Sequence, residues 1–133
     1  VFQSFHLLPT LTAFENIELP AQLINISKDE RMEKVDYMLK SVGLSHRSDH
    51  KPDALSGGER QRIAIARALI HCPSLVLADE PTGSLETKSG EDVLALLKQL
   101  SVDRGVTLLM VTHDHASAQI CNRVISIQDG WLS

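Results

Sequence analysis

Apolar positions change their period along this chain. Between residues 12 and 70 they recur every three or four residues, the spacing of a helix with one buried face. Ile17, Leu19 and Leu23 form one such set, and Met32, Val35, Met38, Leu39 and Val42 form another. Three start signals precede the periodic stretches: Thr12 with Glu15, Ser27 with Glu30, and Ser56 with Glu59, each a capping-box pair. Pro20 is expected to bend or interrupt the first helix, and Gly43 fits the end of the second. Residues 45–54 are polar and loop-like. The third helix is expected from Ser56 to about His71.

Beyond that point the pattern shortens. Leu75-Val76-Leu77-Ala78 and Val106–Val111 are continuous apolar runs, which predict strands buried on both faces. Residues 88–102 predict a helix between them, residues 115–121 a short helix, and Val124–Ile127 a third strand, followed by a turn at Asp129-Gly130. Residues 1–11 read as a strand end followed by a loop. Strand, helix, strand, helix, strand implies an α/β fold with a parallel sheet and right-handed crossovers.

Composition narrows this picture. The 133 residues are 43% hydrophobic and 23% charged, with a net charge of −4, which disfavours a nucleic-acid partner. Cys72 and Cys121 lie far apart with no metal or redox spacing, and read as reduced thiols of a cytosolic protein. No apolar run has membrane-spanning length and no signal-peptide pattern is visible. The first residue is Val1, in the middle of a pattern, and we read that end as a cut.

The chemistry concentrates at three places. Ser56 is followed by Gly57-Gly58, and a capping box needs no glycine pair. Bare N–H groups at a helix N-terminus make an anion site, so the glycines fit a negative ligand held against the backbone. Asp79-Glu80 ends the first apolar run, where ligands bind in open parallel sheets. Asp79 suits a Mg2+ ion and Glu80 an attacking water, although two solvated acids before Pro81 read equally well as a turn. Thr112-His113-Asp114 ends the second run, and His113 is placed for a phosphate or water or for a structural contact. His46 and His50 read as surface residues.

With Gln3, these pieces form one ordered set, and the chain resembles the nucleotide-binding subunits of ATP-binding-cassette (ABC) transporters. Leu55-Ser56-Gly57-Gly58-Glu59-Arg60-Gln61 matches the family signature LSGGE/Q-x-Q, and Leu75 through Glu80 matches the Walker B strand with its glutamate. Gln3 falls at the Q-loop, Ser84-Leu85-Glu86 at the D-loop and His113 at the switch histidine. The resemblance implies a P-loop NTPase-like parallel sheet with an inserted helical subdomain: residues 1–11 the Q-loop region, 12–70 the subdomain, 71–133 half of the core. It implies ATP and Mg2+ as cofactors, Glu80, His113 and Gln3 as catalytic residues, and Asp79 and Gln3 at the metal. Ser56, Gly57, Gly58, Glu59 and Gln61 would then face ATP held by a second ABC subunit.

Two departures stand out. No Gly-x-x-x-x-Gly-Lys-Ser/Thr occurs in the 133 residues, so the Walker A loop is missing, as is the family's adenine-stacking aromatic. Glu86 also stands where the family usually has Asp. The chain is therefore expected to be inactive alone. Residues 1–20 resemble the lipoprotein-release and macrolide-export branch, whose subunits dimerise and dock on an integral membrane permease at the inner face of the cell membrane. Phe5, His6, Leu7, Leu8 and Phe14 are the expected docking residues, with a core role equally open for Leu8 and Phe14. Two alternatives remain: a non-catalytic module that completes a partner's ATP site, and an ABC ATPase of DNA repair. The latter is disfavoured because Gln3 and Ser56 are only 53 positions apart.

Overall fold

A computed structural model describes residues 1–129, 131 and 132. Its centre is α3 (Gly57–Leu69), which packs against α1 (Ala13–Ala21), α2 (Lys28–Ser41) and α4 (Thr87–Asp103). Ile63, Ala64, Ile65, Ala66 and Leu69 of α3 are all buried. Ile63, Ile65, Ala66 and Leu69 share one continuous core with Ile17, Val35, Met38 and Leu39 on the helical side and Val76, Ala78, Val93 and Leu97 on the other. Burying one such side chain stabilises by about 1.5–3 kcal/mol, so α3 ties the two parts of the chain together.

The start signals resolve differently. Thr12 and Ser56 both close full capping boxes with Glu15 and Glu59. At α2 only half the box forms: Ser27 Oγ accepts from the Glu30 N–H, while the Glu30 carboxylate turns to Lys34, one helical turn on, at 3.8 Å. The helix end expected at Gly43 is present. Gly43 has φ +71°, its N–H donates to the Lys40 carbonyl, and the Leu44 N–H donates to the Leu39 carbonyl, which together form a Schellman motif. Pro20 does not break α1, which ends one residue later. The loop at residues 8–12 is fastened by Asn16, a fully buried side chain that accepts from the Leu8 N–H and donates to carbonyls including those of Leu8 and Thr12.

In the second part, β1 (Leu75–Asp79) and β2 (Thr107–Val111) pair in parallel across α4, with Leu77 opposite Leu109 and Asp79 opposite Val111. Phe2 bridges Asp79 in parallel on the other side of β1, so residues 1–2 do form a strand end. Two expectations need correction. The strands are not buried on both faces: Leu77 is 59% and Leu109 57% exposed, because the packed helices cover only the face of Val76 and Ala78. Nor is Val124–Ile127 a third parallel strand. Pairing begins at Ile127, where β3 (Ile127–Gln128) meets β4 (Trp131–Leu132) as an antiparallel ribbon. Asp129 turns with φ +52°, while Gly130 lies outside the described residues. The short helix α5 (His115–Ala118) lies between, capped by Asp114. No helix among the described residues is long and apolar enough to cross a membrane.

Candidate functional site

The carboxyl ends of β1 and β2 bring Glu80 and His113 together. Glu80 follows β1 with φ +44°, an uncommon conformation for a residue with a side chain, and its N–H donates to the Val111 carbonyl. That turn aims its carboxylate at the segment after β2. Oε1 accepts from the His113 N–H at 2.8 Å and lies 2.6 Å from His113 Nδ1, while Oε2 accepts from Thr112 Oγ1 at 3.2 Å. Partial burial pushes the Glu80 carboxyl up, but the hydrogen bonds from the His113 ring, the His113 N–H and Thr112 outweigh it. The group therefore sits below the ordinary carboxylate value and is ionised at neutral pH. The His113 ring is mostly solvent-exposed, so with Nδ1 committed to Glu80 its Nε2 faces outward.

Asp79 is exposed at the end of β1. Gln3 lies against the turn that follows Glu80: Ser84 Oγ donates to the Gln3 carbonyl at 2.8 Å, and a Cβ on Gly83 would sit 2.8 Å from Gln3 Nε2. A side chain at Gly83 would have to displace the exposed Gln3 amide, so glycine permits that approach. Asp79 and Gln3 offer hard oxygen donors, which suits Mg2+, an ion that takes one or two protein ligands and fills its shell with phosphate and water. No group of three or more His, Cys, Asp or Glu among the described residues is arranged to hold a metal alone.

The residues at the start of α3 divide by role. Ser56 is exposed and its Oγ accepts from the Glu59 N–H, leaving the first-turn N–H groups of Gly57 and Gly58 for another acceptor. Glu59 is committed within the fold, accepting from the Ser56 N–H at 2.8 Å and from Arg47 at 3.1 Å. Those bonds, the Ser56 N–H first, hold its carboxyl below the ordinary value against partial desolvation. Gln61 does not face outward with Ser56, because its side chain is fully buried and bonds backbone carbonyls. The glycines also differ. A Cβ on Gly57 would meet Leu85 Cδ2 at 3.1 Å, whereas one on Gly58 would find Ser89 at an ordinary 3.5 Å. Gly57 thus has a packing reason of its own, through Leu85.

Glu86 is the residue before α4 and makes no side-chain cap. Of the expected docking residues, Leu7 and Phe14 pack against the core, Leu8 is partly exposed and His6 is exposed. The sequence reading passed over Thr112 as a direct partner of Glu80, and over Arg67, which donates to the Phe5 and His6 carbonyls. Its place inside the otherwise apolar stretch 63–69 of α3, beyond Arg60 and Arg62, was the available signal for Arg67.

Comparison with known proteins agrees with this arrangement. Residues 1–83 match the ABC transporter family. The chain is 49% identical over 132 residues to the ABC transporter ATP-binding protein YtrE of Bacillus subtilis, covering 99% of this chain and 57% of that protein. It is 47% identical over 133 residues to the lipoprotein-releasing system ATP-binding protein LolD of Saccharophagus degradans, covering 100% of this chain and 58% of that one. The chain thus spans little more than half the length of these relatives. The dimeric structure of MJ0796, a bacterial ABC transporter cassette, superposes with a TM-score of 0.82 at 46% identity, over 98% of this chain and 58% of that one. The ordered motifs, the parallel strands with Glu80 and His113 at their ends, and these similarities together place the chain in the ABC transporter family.

Proposed function

We propose that these residues belong to the ATP-binding and ATP-hydrolysing subunit of a transporter, with a separate membrane permease carrying the substrate. The observation that carries this is the Glu80–His113 contact at the carboxyl ends of β1 and β2. Glu80 is ionised and has three donors on its two oxygens, which leaves lone-pair capacity to orient one water. His113 holds that carboxylate through Nδ1–H and, in its imidazolium form, presents Nε2–H as a donor to a phosphate oxygen. Asp79 and Gln3 would hold Mg2+, which supplies charge neutralisation at the phosphates. Ser56, Gly57 and Gly58 would face the phosphates of ATP carried by a second subunit, with Ser84, Leu85 and Glu86 beside that interface.

The likeness to LolD, and to a macrolide export ATP-binding/permease protein of Rhodopirellula baltica at 50% identity, supports a branch assignment to lipoprotein release or macrolide export, and with it a site of action at the cytoplasmic face of the membrane. The 133 residues carry no phosphate-cradling loop of their own, so by themselves they should neither bind ATP tightly nor hydrolyse it. In the protein as its gene encodes it, Glu80→Gln should lower Mg2+-dependent turnover by about 10²–10⁴-fold and leave ATP binding in place. Turnover that survives Glu80→Gln would sink this reading. Binding of the 133-residue chain to an intact homologous subunit, with no turnover restored, would favour the non-catalytic module instead.

A further inference from the structure

We propose that Gln61 is a positioning residue that fastens the backbone beside Gln3 to the backbone beside Glu80. The inference rests on the reading of Gln3 and Glu80 as hydrolytic residues. The Gln61 side chain has 0% exposure, and its Nε2 donates to the Phe2 carbonyl at 3.2 Å and to the Pro81 carbonyl. Phe2 immediately precedes Gln3, and Pro81 immediately follows Glu80. One NH2 group has two hydrogens, and each is taken by a carbonyl from a different segment. The amide orientation follows, since turning Oε1 toward the same carbonyls would set three acceptors together. Oε1 has no partner among the described residues, so the amide is held there for its two donors.

Neighbouring contacts act on the same two segments. Arg67 donates to the carbonyls of Phe5 and His6, both in the left-handed region at φ +57° and +48°. Arg60 stacks 5.0 Å from the centre of the Phe5 ring. Ser84 Oγ closes the arrangement onto the Gln3 carbonyl. Residues 2–6 and 80–85 therefore form one layer clamped on α3, with Gln61, among the described residues, the single side chain that bonds both. Because Gln61 stands one turn beyond Ser56–Gly58, a displacement of that helix end reaches Gln3 and Glu80 together. A packing residue would not need donors: methionine fills the same space, and an ionised glutamate would oppose both carbonyls.

The test is amide hydrogen exchange on the nucleotide-free protein as its gene encodes it, beside steady-state kinetics. At neutral pH, Gln61→Met and Gln61→Glu should each speed exchange of residues 2–6 and 80–86 together by about tenfold or more, leaving Ile63–Leu69 protected. Relative to the unsubstituted protein at each pH, the Gln61→Glu effect should shrink as pH falls, because a protonated carboxyl regains a donor; the Gln61→Met effect should not. kcat should fall about tenfold, with KM for Mg–ATP within about twofold. Should either variant fail to fold, Ser84→Ala, a surface change, should still loosen residues 2–6 by about threefold. Loosening of one segment alone, loss of protection throughout α3, or no pH difference between the two variants overturns the proposal. Exchange is read without ATP, so a failure of the ATPase reading shows separately, in the kinetics of Glu80→Gln.

Discussion

The helical part of this molecule carries its apolar residues as stripes and the sheet part as continuous runs, and the two are covered very differently. Ile17, Val35, Ile63 and Ile65 have 0% of their surface exposed, whereas Leu77, Leu109 and Val111 are 59%, 57% and 62% exposed. A helix needs one apolar stripe covered, and α1, α2 and α3 do this for one another within about sixty residues of sequence. A parallel strand needs a layer on each face, and α3 and α4 lie on one side only. The two patterns therefore carry unequal information: the helical stripe states which face its partner covers, while the continuous strand pattern states only that two layers are called for.

The largest effect should come from the covered side. Ile65→Ala removes a fully buried side chain and should cost about 2–5 kcal/mol, measured by urea unfolding of the 133-residue chain. Leu77→Ala, on the bare face, should stay within about 0.5 kcal/mol in the same chain. Repeating both in the protein as its gene encodes it sharpens the comparison. If Leu77→Ala then costs as much as a core truncation, a further layer covers that face; if it stays neutral, the face is solvent-facing in the whole protein as well.

The limits of the sequence reading follow the same division. The capping boxes at Thr12 and Ser56 were legible because all their atoms lie within four residues, as was the Schellman ending at Gly43. Glu80 and His113 were found as separate strand ends, but their 2.6 Å contact depends on β1 and β2 pairing in register across 33 positions. Gln61 was grouped with Ser56 because the motif is contiguous. In a helix, however, adjacent residues point about 100° apart, so a motif shared in sequence splits between a surface and the interior. Val124–Ile127 was misjudged because β-branched residues next to a turn specify an extended chain without naming the neighbour it pairs with.

Gly57 and Gly58 allow the same comparison at one helix end, with an intermediate effect expected. Alanine is favoured over glycine inside a helix by up to about 1 kcal/mol. Gly58→Ala should realise part of this, since its Cβ meets Ser89 at an ordinary 3.5 Å. Gly57→Ala should fall short of that gain, because Leu85 Cδ2 stands at 3.1 Å and must give way by a few tenths of an ångström. Thermal unfolding of the two variants reads this difference. If Gly58→Ala stabilises the fold and still abolishes turnover of the gene-encoded protein, the absence of a side chain at Gly58 serves a ligand; if turnover survives, the glycine pair has no ligand to explain it.

The smallest effect concerns acid, and compares the carboxylate that builds α3 with the one at the strand ends. Glu59 and Glu80 are both held below the ordinary carboxylate value by hydrogen bonds in the folded chain. A lowered folded value means that the unfolded chain takes up the proton first as pH drops. Their contribution is therefore fully present above the ordinary value of 4.5 and is lost as pH falls through the lower folded values. Glu59→Gln keeps the shape of the cap but removes the charge facing Arg47 and the helix N-terminus. It should lower stability by about 0.5–1 kcal/mol at pH 7 and flatten the dependence of Tm on pH in the acid range. Thr112→Val removes one donor to Glu80 without touching the cap, so it should flatten the same curve less and leave exchange of the first turn of α3 unchanged. An acid dependence untouched by Glu59→Gln would mean that the Ser56–Glu59 box is equally made in the unfolded chain, a local structure needing no tertiary support. A dependence abolished by Thr112→Val alone would shift the whole acid response to the strand ends.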